Sequence, residues 1–150
     1  MKSVFIILCL LLSSVNSLPT GAPEAACATM SPDMNAHGAA PQTTPSPYKI
    51  KAKLKDGHYE VVLSGETFKG FALRAQDSQG NPLKGNFEGE EEDVQIVSCK
   101  NGFDLITHRN PLDKEQIKFT FTPENSTEDV IFYGAVVQSV SVYWTNIESS

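Results

Sequence analysis

Apolar and polar residues alternate most strictly over residues 48–55, YKIKAKLK. Tyr48, Ile50, Ala52 and Leu54 fall on one side, and Lys49, Lys51, Lys53 and Lys55 on the other. That is the period of a strand with one buried face. Asp56-Gly57 predicts a two-residue turn into a second strand over 59–63. Residues 64–67, SGET, read as another turn. The strand over 68–75 then sets Phe71, Leu73 and Ala75 on one face and Phe68, Ala72 and Arg74 on the other. The whole stretch 59–75 is expected to form a hairpin at the heart of a β-sandwich core, with Tyr59, Phe68 and Phe71 at strand spacing.

The same alternation continues downstream. Asp77 to Pro82 (DSQGNP) is a strong turn signal. Residues 84–93, KGNFEGEEED, read as an acidic loop containing Glu88, Glu90, Glu91, Glu92 and Asp93. Strands over 94–99 and 103–108 flank Asn101-Gly102, a hairpin signal. Residues 116–122 place Ile117, Phe119 and Phe121 on one face before Pro123 ends the run. The apolar run 130–137 suits a central strand, with Gly134 marking a bulge. Residues 139–145 set Val140, Val142 and Trp144 together. About eight short strands and no amphipathic helix predict an all-β, immunoglobulin-like antiparallel sandwich. Residues 18–47 carry six prolines and no strand-length apolar run. They predict an irregular segment lying on the sandwich formed by 48–150.

The first 17 residues have a different character. Lys2 is followed by the nine-residue apolar run VFIILCLLL and then by small polar residues. This is the pattern of a secretory signal peptide cut before Leu18. Nine apolar residues are too few for a membrane anchor, which needs about 20. No second run of spanning length follows, so the mature protein is expected in extracellular fluid. Removal of the signal takes Lys2 and Cys9 with it. The 12 basic residues become 11 against 18 acidic, a net charge of −7. That balance argues against nucleic acid as a partner. Cys27 and Cys99 remain, and an even count in an oxidising compartment argues for one disulfide between them. Two free thiols are the alternative. A bridge would pin the proline-rich segment, and the chain-entropy model gives about 4–5 kcal/mol for such a long loop.

Seven motifs in order carry a family resemblance: PTGAPEAAC (19–27), PSPY (45–48), FKGFALRA (68–75), SCKNG (98–102), Thr107-His108, FTFTP (119–123) and VIFYGAVVQ…YW (130–144). The chain resembles the Reeler domain across nearly its whole mature length. It is most similar to the small single-domain insect defence proteins. The resemblance implies an immunoglobulin-like sandwich, a disulfide at Cys27 and Cys99, secretion and a part in the response to bacteria. Reeler domains also occur in matrix proteins and ahead of haem-containing ferric reductases. No cytochrome segment follows in this sequence, so the reductase activity does not carry over. Phe119 to Phe121 departs from the family pattern by having Phe where Trp is common, a change within the core.

The candidate chemistry is non-catalytic. Lys49, Lys51, Lys53 and Lys55 form a row of roughly 20 Å on one strand face. Their spacing is within a Debye length of about 8 Å, so they would attract polyanions together. Phosphate-bearing bacterial or fungal surface glycolipids and polysaccharides are the expected ligands. Lysines on an edge strand also block sheet-to-sheet aggregation, which is the competing explanation. Four consecutive acids at 90–93 rarely converge on one calcium ion and read as a solvated loop. His37, His58 and His108 lack metal-ligand spacing. No nucleophile motif is present, so no cofactor, metal or catalytic residue is assigned. Asn125-Ser126-Thr127 is a glycosylation sequon in a loop. The functional expectation is a secreted defence protein that binds microbial surfaces. The alternative is an adhesion or matrix module contacting host proteins or glycans.

Overall fold

A computed structural model describes residues 20–125 and 129–150. The expected signal peptide, 1–17, and the sequon positions 126 and 127 lie outside the described residues. Among the described residues, nine strands follow two short helices. They are β1 (Lys49–Lys55), β2 (His58–Phe68), β3 (Gly70–Gln76), β4 (Gly85–Gly89), β5 (Val94–Ser98), β6 (Asp104–His108), β7 (Lys114–Pro123), β8 (Ile131–Ser139) and β9 (Val142–Glu148). They form a four-stranded sheet in the order β1-β2-β7-β4 and a five-stranded sheet in the order β5-β6-β3-β8-β9. Every ladder between named strands is antiparallel.

The inward faces carry the apolar positions that the alternation marked. Ile50, Val61, Leu63, Ile117, Phe119 and Phe121 are buried on the first sheet, and Phe71, Leu73, Ile106, Phe132 and Val136 on the second. Phe132 stands at the middle. Its ring lies 5.7–5.9 Å from those of Tyr59, Phe119 and Phe121, and all three contacts are edge-on. Such contacts add to the apolar burial that holds the sheets together.

Three expectations need correction. The stretch 59–75 is not a hairpin, because β2 and β3 lie in opposite sheets. Residues 64–67 continue β2 through a register irregularity between Ser64 and Phe68. Gly65, at φ +149°, lies so close to the Pro47 carbonyl that a Cβ would collide with it. The chain then turns its corner through the single residue Lys69, so Phe68 and Phe71 meet edge-on across the core at 6.3 Å. The acidic segment 84–93 is not loop throughout. It contains β4, whose only buried residue, Phe87, gave too weak an alternation to read. Val140 does not share a strand face with Trp144. It sits in the β8–β9 turn, 38% exposed.

The proline-rich segment is also more ordered than its composition implies. It contains α1 (Ala26–Thr29) and α2 (Met34–His37), the latter capped by the Asp33 carboxylate accepting from Asn35 N. Ala26 and Met30 pack on Ala72, Phe103 and Leu105, forming a second, smaller core on the outer face of the five-stranded sheet. The disulfide Cys27–Cys99 closes that core, with a Cα–Cα separation of 5.8 Å. Ala22 N donates to the buried Thr107 hydroxyl, which itself donates to Phe71 O. Further along, Tyr143 Oη donates to Ala39 O, Gln42 N to Tyr143 O and Trp144 Nε1 to Thr44 O.

Candidate anion-binding face

The described part of the N-terminal segment packs on the outer side of the five-stranded sheet, while the outward β1 lysines of the four-stranded sheet are exposed. On that exposed side, four strands lay out rows of side chains fixed by register. Lys49 is opposite Ser64, which is opposite Gln116. Lys51 leads to Val62 and then Lys118. Lys53 leads to Glu60, Thr120 and Glu88. Lys55 leads to His58 and, at the far edge, to Thr122 and Asn86 through the register of β7 and β4. The two-residue turn between β1 and β2 sets this order, with Asp56 at φ 48° and Gly57 at φ 85°. These are the values a tight hairpin turn demands.

All four lysines of β1 are exposed, as expected from the alternation, and β1 is an edge strand. Lys55 Nζ is 3.0 Å from Glu60 Oε1, and this hydrogen bond holds the Glu60 carboxyl below its ordinary range, helped by Lys53. Among the described residues, Lys49, Lys51 and Lys118 have no carboxylate within 4 Å. Lys118 therefore adds to the group. Its isolated place between Ile117 and Phe119 hid it from a reading of β1 alone. The charge changes sign across the sheet. A shallow depression of about 670 Å³ runs over β2, β7 and β4, bounded by Glu60, Val62, Lys118, Thr120, Glu88 and Glu90.

The remaining candidates fall elsewhere. Asn125 is exposed just beyond β7. The acidic turn 90–93 directs its backbone inward, with Arg109 N donating to Asp93 O and Asn110 Nδ2 to Glu92 O. Glu90, Glu91 and Glu92 are exposed and Asp93 is half-buried, and among the described residues no group of His, Cys, Asp and Glu gathers where it could hold a metal. His108 receives Phe71 N on Nδ1 at 3.2 Å, and His37 Nδ1 meets Val140 O at 2.6 Å. His58 begins β2 opposite Lys55. No alternation or motif marks Lys114, which is 6% exposed with its ammonium on Lys69 O, Asn110 O, Asn110 Oδ1 and Leu112 O.

Known proteins agree with this architecture. The Reeler domain family profile matches residues 25–150. A Bombyx mori protein whose name assigns it to defence is 32% identical over 145 residues, 87% of this chain and 82% of its own length. The Drosophila melanogaster defense protein l(2)34Fc is 33% identical over 139 residues, 87% of this chain and 85% of its own. Ferric-chelate reductase 1 of Bos taurus is 32% identical over 154 residues, but only 25% of that protein is covered. A crystal structure of the human F-spondin reeler domain superposes with a TM-score of 0.56 at 18% identity, over 73% of this chain and 91% of its own. The chain belongs to the Reeler domain family.

Proposed function

We propose that this is a secreted defence protein that binds phosphate-bearing microbial surface glycolipids or polysaccharides without catalysis. The observation that carries the reading is the exposed row Lys49, Lys51, Lys53 and Lys55 on a sheet face that the described part of the N-terminal segment does not cover. Lys51 and Lys118 flank Val62 two strand spacings apart, about 10 Å, which suits successive phosphates of a polymer. Relatives named for defence support the biological setting. The reductase relatives match over about a quarter of their length, and their redox chemistry is no part of this proposal.

Replacing the four lysines of β1 with Gln tests the reading. Binding to lipopolysaccharide and lipoteichoic acid is expected to fall at least tenfold, about 1.4 kcal/mol. Binding of the wild type to uncharged β-glucan is expected to be weak. Unchanged lipopolysaccharide binding by the Gln variant would sink the proposal. Retained binding to host glycans with none to bacterial envelopes would instead favour an adhesion module.

A further inference from the structure

The two free edges of the four-stranded sheet carry opposite charge. β1 presents lysines, and β4 presents Glu88 and, one residue past its end, Glu90. We infer that copies of this chain associate edge to edge, with residues 52–55 of β1 in one copy adding to β4 of the next.

Three features of the backbone and side chains fit. Ser150 N donates to Ile50 O, and Ser149 bridges Ile50, on the side of β1 away from β2. The even-numbered residues of β1 therefore turn their N–H and C=O groups toward the free edge, and among the described residues no backbone group bonds those of Ala52 and Leu54 on that side. Carrying the same alternation through β2 and β7 turns Phe87 and Gly89 outward on β4. Because the sheet has four antiparallel strands, β4 and the next copy's β1 run in opposite directions when placed side by side. Leu54 then pairs with Phe87 and Ala52 with Gly89.

That register sets Lys53 opposite Glu88 and Lys55 opposite Asn86 on the outer face. One residue past the end of β4, Lys51 falls opposite Glu90. Opposite charges directly across a strand pair attract, whereas two β1 edges would repel. Leu54, 54% exposed in the isolated chain, becomes covered by Phe87 of the next copy. A contact between two different edges does not close on itself, so it generates open-ended oligomers rather than a discrete dimer. The pairing spans only about four residues because the C-terminal bridge at Ile50 limits it. It is accordingly weak and concentration-dependent.

Sedimentation velocity across a concentration series at about 0.15 M salt provides the test, since screening there limits the repulsion of the net negative charge. The wild type should show an average sedimentation coefficient rising with concentration. Glu88→Lys/Glu90→Lys and Lys51→Glu/Lys53→Glu should each weaken association about tenfold. An equimolar mixture of the two variants should recover it, because each then supplies the edge the other needs. The altered side chains are all exposed, so unchanged circular dichroism separates lost association from lost folding. A wild type that sediments as one species throughout would overturn the inference, as would association unaffected by Glu88→Lys/Glu90→Lys. Neither result would touch the proposed function, since the wild type and Glu88→Lys/Glu90→Lys both keep all four β1 lysines.

Discussion

Lys114 is the residue whose environment departs furthest from its type. A lysine in the interior loses hydration worth several kcal/mol unless its protons are bonded. Here four oxygens, at 2.7–3.3 Å, surround its three N–H groups. Burial lowers its pKa, while the nearby Asp93 and Asp113 act to raise it and Lys69 to lower it. One of the oxygens belongs to Lys69, the residue at which β2 passes to β3. The ammonium thus ties the β6–β7 connection to the corner between the sheets. Lys114→Met keeps the volume and strands those carbonyls. It is expected to cost about 1–3 kcal/mol, read as a lower urea midpoint at unchanged slope. Lys118→Met, on the solvent face of the same strand, should stay within about 0.5 kcal/mol. Equal effects from both would show that the oxygen cage contributes nothing.

Among the elements, the N-terminal segment has two independent attachments. Its first half is held by the disulfide and by Ala26 and Met30 against Leu105. Its second half is held by bonds from Tyr143 and Trp144. Cys27→Ser/Cys99→Ser should therefore cost about 2–5 kcal/mol and open only the first half. Limited proteolysis should cut within 20–32 and spare 39–47. Cutting throughout 20–47 would mean that the β9 bonds cannot hold the second half alone. This segment also shows where legibility ended. Strict alternation in β1 and β7 identified their buried faces, because one side of each meets solvent. In β9 both Tyr143 and Trp144 are buried, one under the segment and one in the main core, so alternation failed. Periodicity also assigns a face but not a sheet, and so β2 and β3 read as a hairpin. The lysine row was legible as a local pattern. Lys118 was not, because only the register of β2 against β7 brings it near Lys51.

At the scale of the whole molecule, the proposed function has a protein of net charge −7, on the proposed removal of residues 1–17, binding an anionic surface through one basic edge. The two influences act over different distances. The net charge is felt across the molecule, whereas the lysine row acts at contact. At about 0.01 M salt the Debye length is about 30 Å, and the surface senses the whole acidic molecule. At physiological salt it is about 8 Å, so the β1 lysines dominate and the acids beyond β4 are largely screened. At about 1 M it is about 3 Å, and the lysine contacts themselves weaken. Binding to lipopolysaccharide should therefore pass through a maximum at intermediate ionic strength. A purely basic binder would weaken steadily from the lowest salt. The four-lysine Gln variant, with still greater negative charge and no row, should bind weakly at every salt concentration. A steady decline for the wild type would mean that the acids on and around β4 play no part in how the protein approaches its ligand. A maximum that persists in the Gln variant would place the contact elsewhere than on β1.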